Sequence, residues 1–176
     1  MLRDIENNLS YKIAGKKILL IGSGFVLDSI LYDLITAGSY QIAILARNQE
    51  RVAYLKQKFT LDDYQEDINY DIIINTLPHT APASVFAMVK QIADYSLCYD
   101  LTYAKSETDF MLYAKQLNVK ALTQNGLGML IETAKVAFIK LFGFIPDTQL
   151  TLKNLLQITQ NAPEGCVNSI IEKESC

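Results

Sequence analysis

Apolar residues along this chain fall into two kinds of block. Lys17 to Ile21, Ile42 to Ala46, Tyr70 to Asn75 and Leu97 to Leu101 are short runs rich in apolar and β-branched residues, bounded by glycine or polar residues. Such runs suit strands buried on both faces of a sheet. Between them apolar positions recur at helical spacing. Phe25 to Ala37 carries Val26, Leu27, Ile30, Leu31, Leu34 and Ile35, and Gly38 stops it. Asn48 can cap a helix from Gln49 to Phe59 that turns Val52, Leu55 and Phe59 inward. Further helices are predicted over Ala83 to Ala93 and Glu107 to Leu117. Leu61 to Tyr64 reads as a short edge strand and Val119 to Leu122 as a last one, while Leu2 to Leu9 makes a short amphipathic helix. Gly128 to Phe142 is so apolar that it should be more buried than a surface helix. Pro146 opens another helix, Asp147 to Gln160, and the polar tail from Asn161 to Cys176 is expected to be partly mobile.

Strands alternating with helices imply an α/β fold with a parallel sheet. Gly22-Ser23-Gly24 joins the first strand to the first helix. A glycine turn there is the opening unit of a Rossmann-like, doubly wound sheet with helices on both faces, in strand order 3-2-1-4-5-6. Residues 1–160 are expected to form this domain and 161–176 the tail.

The turn also suggests chemistry. A helix N-terminus presents unpaired N–H groups and a positive dipole end, where a pyrophosphate can sit, and Gly24 lets the backbone approach it. At the end of the second strand, Leu45-Ala46-Arg47-Asn48 lacks the acid that holds the ribose hydroxyls of NAD. Arg47 and Arg51 stand instead where a 2′-phosphate would be, so the cofactor implied is NADP. Two solvated arginines at the start of a surface helix explain the same residues. Three positions oppose a pyrophosphate: Leu27 replaces a small residue, Phe25 crowds the turn and Asp28 places a negative charge in the first helical turn.

Half of the 176 residues are hydrophobic, enough for a sizeable core. No apolar run approaches the roughly 20 residues of a membrane helix, and the N-terminus lacks a signal peptide's apolar region, so a soluble cytoplasmic protein is expected. A net charge of −3 without a basic run argues against nucleic acid as a partner. Cys98, Cys166 and Cys176 lack metal spacing, and no metal is expected; Cys98 reads as a core thiol and the lone histidine, His79, as a loop residue.

Several spaced stretches then match one family. Leu2 to Glu6, Gly15 to Gly24, Asp71 to Asn75, Tyr99 to Tyr103 and Gly126-Leu127-Gly128-Met129-Leu130 resemble, in this order, the C-terminal NADP-binding domain of shikimate dehydrogenase. The cover runs from about Leu2 to Leu152, and the last motif is its most specific part. The resemblance implies an oxidoreductase of aromatic amino-acid biosynthesis that interconverts shikimate and 3-dehydroshikimate with NADP. In that family an N-terminal domain carries the lysine and aspartate of proton transfer and the serines that grip substrate. Nothing in this chain matches those groups, so no catalytic acid/base is expected here and the chain alone should be inactive.

By resemblance, Gly22, Ser23, Gly24 and Phe25 form the turn that meets the pyrophosphate, and Arg47, Asn48 and Arg51 meet the adenosine phosphate. Asn75 and Leu77 belong to the loop beside the cofactor, where Leu77 replaces a polar contact. Gly126 and Met129 would lie by the nicotinamide and Tyr103 would face substrate, with Thr133 standing where the family has a substrate-binding glutamine. Two readings remain open. One is the cofactor half of an oxidoreductase that works with a separate substrate domain; the other is a non-catalytic nucleotide-sensing or interaction module. A homo-oligomer through the face that a substrate domain would cover is compatible with both.

Overall fold

A computed structural model describes residues 1–82, 84–104, 106–147 and 154. The chain divides into two compact units, Met1–Leu130 and Ile131–Cys176. The first holds a six-stranded sheet built from β1 (Lys17–Ile21), β2 (Gln41–Leu45), β3 (Asp62–Asp63), β4 (Ile72–Asn75), β5 (Leu97–Asp100) and β6 (Leu122–Gln124). Every pairing is parallel and the order is β3-β2-β1-β4-β5-β6, the doubly wound arrangement that the pattern predicts. Leu19 of β1 lies opposite Ala43 on one side and Ile73 on the other. The central strand is thus covered along both edges and both faces, which is why its run is apolar without alternation.

Two cores follow from that. On one face Ile18, Leu20, Ile42, Ile44, Ile72 and Ile74 meet α1 (Val26–Thr36) through Leu27, Ile30, Leu31 and Leu34, and α2 (Gln49–Lys58) through Val52 and Leu55. Ile5, from a short helical segment whose π-turn spans Asp4–Asn8, completes this layer. On the other face Leu19, Ile21, Ala43, Leu45, Ile73 and Cys98 meet Phe110 and Ala114 of α3 (Asp109–Leu117). Asn48 caps α2, its Oδ1 accepting from the Arg51 N–H at 3.0 Å, and Thr108 caps α3 in the same way.

Three expectations are corrected. The stretch expected as a helix from Ala83 to Ala93 is only a single 3₁₀ turn, Phe86–Met88 (Ala83 itself lies outside the described residues). Tertiary contacts override the helical pattern. Val85, Phe86, Val89 and Ile92 are all buried, and the Tyr113 hydroxyl serves the carbonyls of Ala87 and Val89 that helical bonds would have used. The last strand begins at Leu122, where Val119 to Leu122 was expected, because Asn118 makes a turn, its Oδ1 accepting from the Lys120 N–H at 2.9 Å. Val119 is left 85% exposed. Finally, α4 (Leu127–Phe142) is not a largely buried helix. Leu127 and Ile131 are buried, but Leu130, Leu141 and Phe142 are exposed, since apolar residues run all round the helix and burial is confined to a stripe. In the second unit Phe138 packs tilted against Phe142 and edge-on against Phe144, ring centroids 4.6 and 4.9 Å away. The expected helix over 147–160 and the tail 161–176 lie, apart from Asp147 and Asn154, outside the described residues.

Cys98 is fully buried in β5, and burial pushes its thiol up to about 12. The reactive thiolate is therefore scarce as well as inaccessible. Iodoacetamide at pH 8 should leave Cys98 unmodified in the native chain and label it after unfolding, as read by peptide mass mapping. Native labelling would place Cys98 outside the core.

Candidate functional site

The C-terminal edge of the sheet gathers the loops that follow β1, β4, β5 and β6. Gly22 leaves β1 with φ +114°, a conformation that favours glycine, and its N–H donates to the Leu45 carbonyl at 2.9 Å. A Cβ there would meet Thr76 Oγ1 at 2.5 Å and the Leu77 side chain at 3.3 Å. The β4 loop is stapled to this turn, since both the N–H and the hydroxyl of Thr76 donate to the Ile21 carbonyl, at 2.9 and 2.8 Å. Gly24 differs in kind. Nothing lies within 4 Å of where its Cβ would be, and no side chain caps α1 behind it. The turn therefore combines a glycine required by packing with one that leaves open space at a helix N-terminus, which suits an anionic ligand.

Around this turn stand the other candidates. Phe25 is 90% exposed, and its ring lies 5.4 Å from the Arg51 guanidinium. Arg51 Nε donates to the Ser23 carbonyl at 3.4 Å, so α2 leans its arginine over the glycine loop. Arg47 is exposed and makes no ion pair among the described residues. The side chain of Asn48 is engaged as the α2 cap. Asn75 is buried at the end of β4, its Oδ1 accepting from the Leu77 N–H at 3.3 Å.

Beyond β4 a cleft of about 230 Å³ is lined by Asn75, Leu77, His79, Asp100, Thr102 and Thr108, among others. Asp100 is buried in it and organises its rim, accepting from the Thr102 N–H at 3.0 Å and the Thr108 hydroxyl at 2.6 Å. Tyr103, half exposed, packs on Gly126, where a Cβ would lie 2.9 Å from the ring and 2.5 Å from the Leu101 carbonyl. Met129, one turn further along α4, is half-buried against the α1 face of the core. Thr133 is exposed on the part of α4 that belongs to the second unit. Gly22, Ser23, Gly24, Phe25 and Arg51 are thus brought together, Gly22 also touches the Asn75–Leu77 loop, and Tyr103 meets Gly126.

Two features escaped the sequence. Asp4 is 1% exposed and accepts hydrogen bonds from the Tyr99 hydroxyl at 2.6 Å and the Asn8 amide at 2.7 Å. It lies directly under Gly128, where a Cβ would overlap its carboxylate. Burial, and then the Asp4 carboxylate, push the Tyr99 phenol far above its usual range. The other is Lys58, which joins Asp28 and Arg51 in an ion-pair cluster. Its spacing from Arg51, with Tyr54 between them, on one face of α2 was the available signal.

A sequence profile of the family described as Shikimate / quinate 5-dehydrogenase matches residues 4–103, from the buried Asp4 through the glycine turn to Tyr103. The chain belongs to this family. It is 32% identical over 163 residues to the shikimate dehydrogenase (NADP(+)) of Vesicomyosocius okutanii, covering 88% of this chain and 60% of that protein. Among solved structures, an Ael1 enzyme from Pseudomonas putida superposes with a TM-score of 0.72 at 27% identity, over 88% of this chain and 59% of that one. The shikimate 5-dehydrogenase of Thermus thermophilus, solved in complex with NADP(H) and shikimate, shares the fold with a TM-score of 0.68 at 20% identity, over 90% and 60% of the two chains. The chain thus spans about 60% of the length of the shikimate dehydrogenase relative. The matched residues 4–103 contain the glycine turn, β1 to β5 and Tyr103 of the candidate site.

Proposed function

We propose that this chain is the NADP-binding part of a shikimate dehydrogenase-type oxidoreductase and acts with a substrate domain that supplies the acid/base groups. The observation that carries the reading is the open Gly24 position at the uncapped start of α1, on the same sheet edge as the exposed Arg47. At the turn that Gly22 makes, Ser23 and Gly24 would hold the pyrophosphate through backbone N–H groups, and Arg47 the 2′-phosphate. NADP(H), when bound, supplies the hydride chemistry. Asn75 and the Leu77 loop would border it, Gly126 and Met129 would lie on the nicotinamide side, and Tyr103 would face the substrate. Residues 1–160 would form the cofactor domain. Among the described residues no helix is long and apolar enough to cross a membrane, and a biosynthetic oxidoreductase of this kind fits the cytoplasm.

A second reading, a nucleotide-sensing module without catalysis, draws on the engagement of Arg51 by Asp28 and on Leu77 and Thr133 in place of reaching polar groups. Titration calorimetry tests the shared premise. NADPH should bind about tenfold more tightly than NADH, and Arg47→Ala should remove most of that difference, as loss of a charge-assisted contact to phosphate does. Equal binding of NADPH and NADH by the unaltered chain would overturn the assignment of Arg47.

A further inference from the structure

Asp28, in the first turn of α1, does not point its charge at empty solvent. Its carboxylate forms an ion pair with the Arg51 guanidinium through one oxygen and lies 3.1 Å from the Lys58 ammonium through the other. The Arg51 guanidinium is flanked by the rings of Phe25 and Tyr54, at 5.4 and 4.7 Å, and the Lys58 ammonium sits 4.9 Å from the Tyr54 ring. Arg51 and Lys58 are therefore held in place by aromatic walls while a carboxylate occupies the space between them. The Lys58 ammonium, with Arg51 beside it, holds the Asp28 carboxyl below its usual range, as expected of an anion seated between two cations.

We propose that Asp28 is an internal counter-ion seated in an anion site made by Arg51 and Lys58, and that it sets how strongly this chain prefers a 2′-phosphorylated nucleotide. A carboxylate and a phosphate monoester present similar oxygens to a guanidinium fork, so they compete for the same donors. The phosphate, with about −1.5 to −2 charges, cannot share the site with the carboxylate without strong repulsion. Arg47 is left as the cation that meets the phosphate directly, and Arg51 and Lys58 are released to it only when Asp28 withdraws. Ligands without the 2′-phosphate do not ask for these cations, and their binding is indifferent to the pair. This inference rests on the NADP-binding reading above and adds Lys58 as a phosphate-binding residue and Asp28 as the residue that sets specificity.

The test compares 2′,5′-ADP with 5′-AMP, which differ only in the 2′-phosphate, against the unaltered chain, Asp28→Asn and Asp28→Ala. Both variants should bind 2′,5′-ADP at least about tenfold more tightly while the affinity for 5′-AMP moves by less than about twofold. Adding Arg51→Ala to Asp28→Asn should abolish the gain, and adding Lys58→Ala should reduce it. Equal tightening of both ligands would overturn the proposal, because Asp28 would then act on the shared 5′-phosphate by general repulsion. Unchanged binding of 2′,5′-ADP, with 5′-AMP still bound, would also overturn it and would leave the nucleotide site standing. Failure of every variant to bind either nucleotide would remove the nucleotide reading together with this one.

Discussion

Gly128→Ala is expected to destabilise the chain by about 3 kcal/mol, at the upper end of ordinary overpacking costs. The added methyl would overlap the Asp4 carboxylate, which is fully buried and pinned by the Tyr99 hydroxyl and the Asn8 amide. That carboxylate cannot swing aside without leaving the buried Tyr99 O–H without its acceptor, which itself costs on the order of 1–3 kcal/mol. The glycine is thus demanded by an acid more than a hundred positions away in sequence. Urea denaturation should show a lowered midpoint for Gly128→Ala. In the double variant Asp4→Ala/Gly128→Ala the methyl enters space the carboxylate has vacated, so the combined loss should fall short of the sum by about 1 kcal/mol or more. A midpoint like that of the unaltered chain, or strict additivity, would contradict this packing.

The second large effect concerns catalysis. Hydride transfer needs the substrate carbon held against the nicotinamide, and orientation of this kind supplies on the order of 7–11 kcal/mol of barrier reduction. It also needs an acid/base group within hydrogen-bond reach of the reacting oxygen. On the proposed reading Tyr103 and Gly126 would offer one wall for such a substrate, and the exposed Thr133 has a shorter side chain than the glutamine that resemblance places there. The groups that resemblance assigns to proton transfer have no counterpart in these 176 residues. No measurable shikimate oxidation is therefore expected from them alone.

Much of the scaffold was legible because its signals are local. The glycine turn, the unalternating apolar strands and the helical spacing of α1 and α2 fix a parallel sheet whose order the structure reproduces. Asn48 could be read as a cap from its place before α2, and it is one. What was not legible depends on contacts distant in sequence. The segment around Phe86 has helical spacing, but Tyr113 takes its carbonyls, and no periodicity foretells that. Asp28 was read as opposing a pyrophosphate because it puts a negative charge in the first turn of α1. Its partners, Arg51 and Lys58, arrive from the next helix. Nothing local marks Asp4 for burial, since its partner Tyr99 comes from β5, far along the chain.

The most direct measurement mixes the purified chain with the substrate domain of a related shikimate dehydrogenase, in NADP and excess shikimate, and follows NADPH absorbance. The chain alone should give a flat trace, and the mixture should generate NADPH in a shikimate-dependent way, faster when the chain carries Phe25→Gly and Thr133→Gln. Turnover by the unaided chain would contradict the placing of the acid/base chemistry outside it. A flat trace from the mixture, with NADPH binding verified in the same sample, would contradict the cofactor-half reading and favour a nucleotide-sensing module.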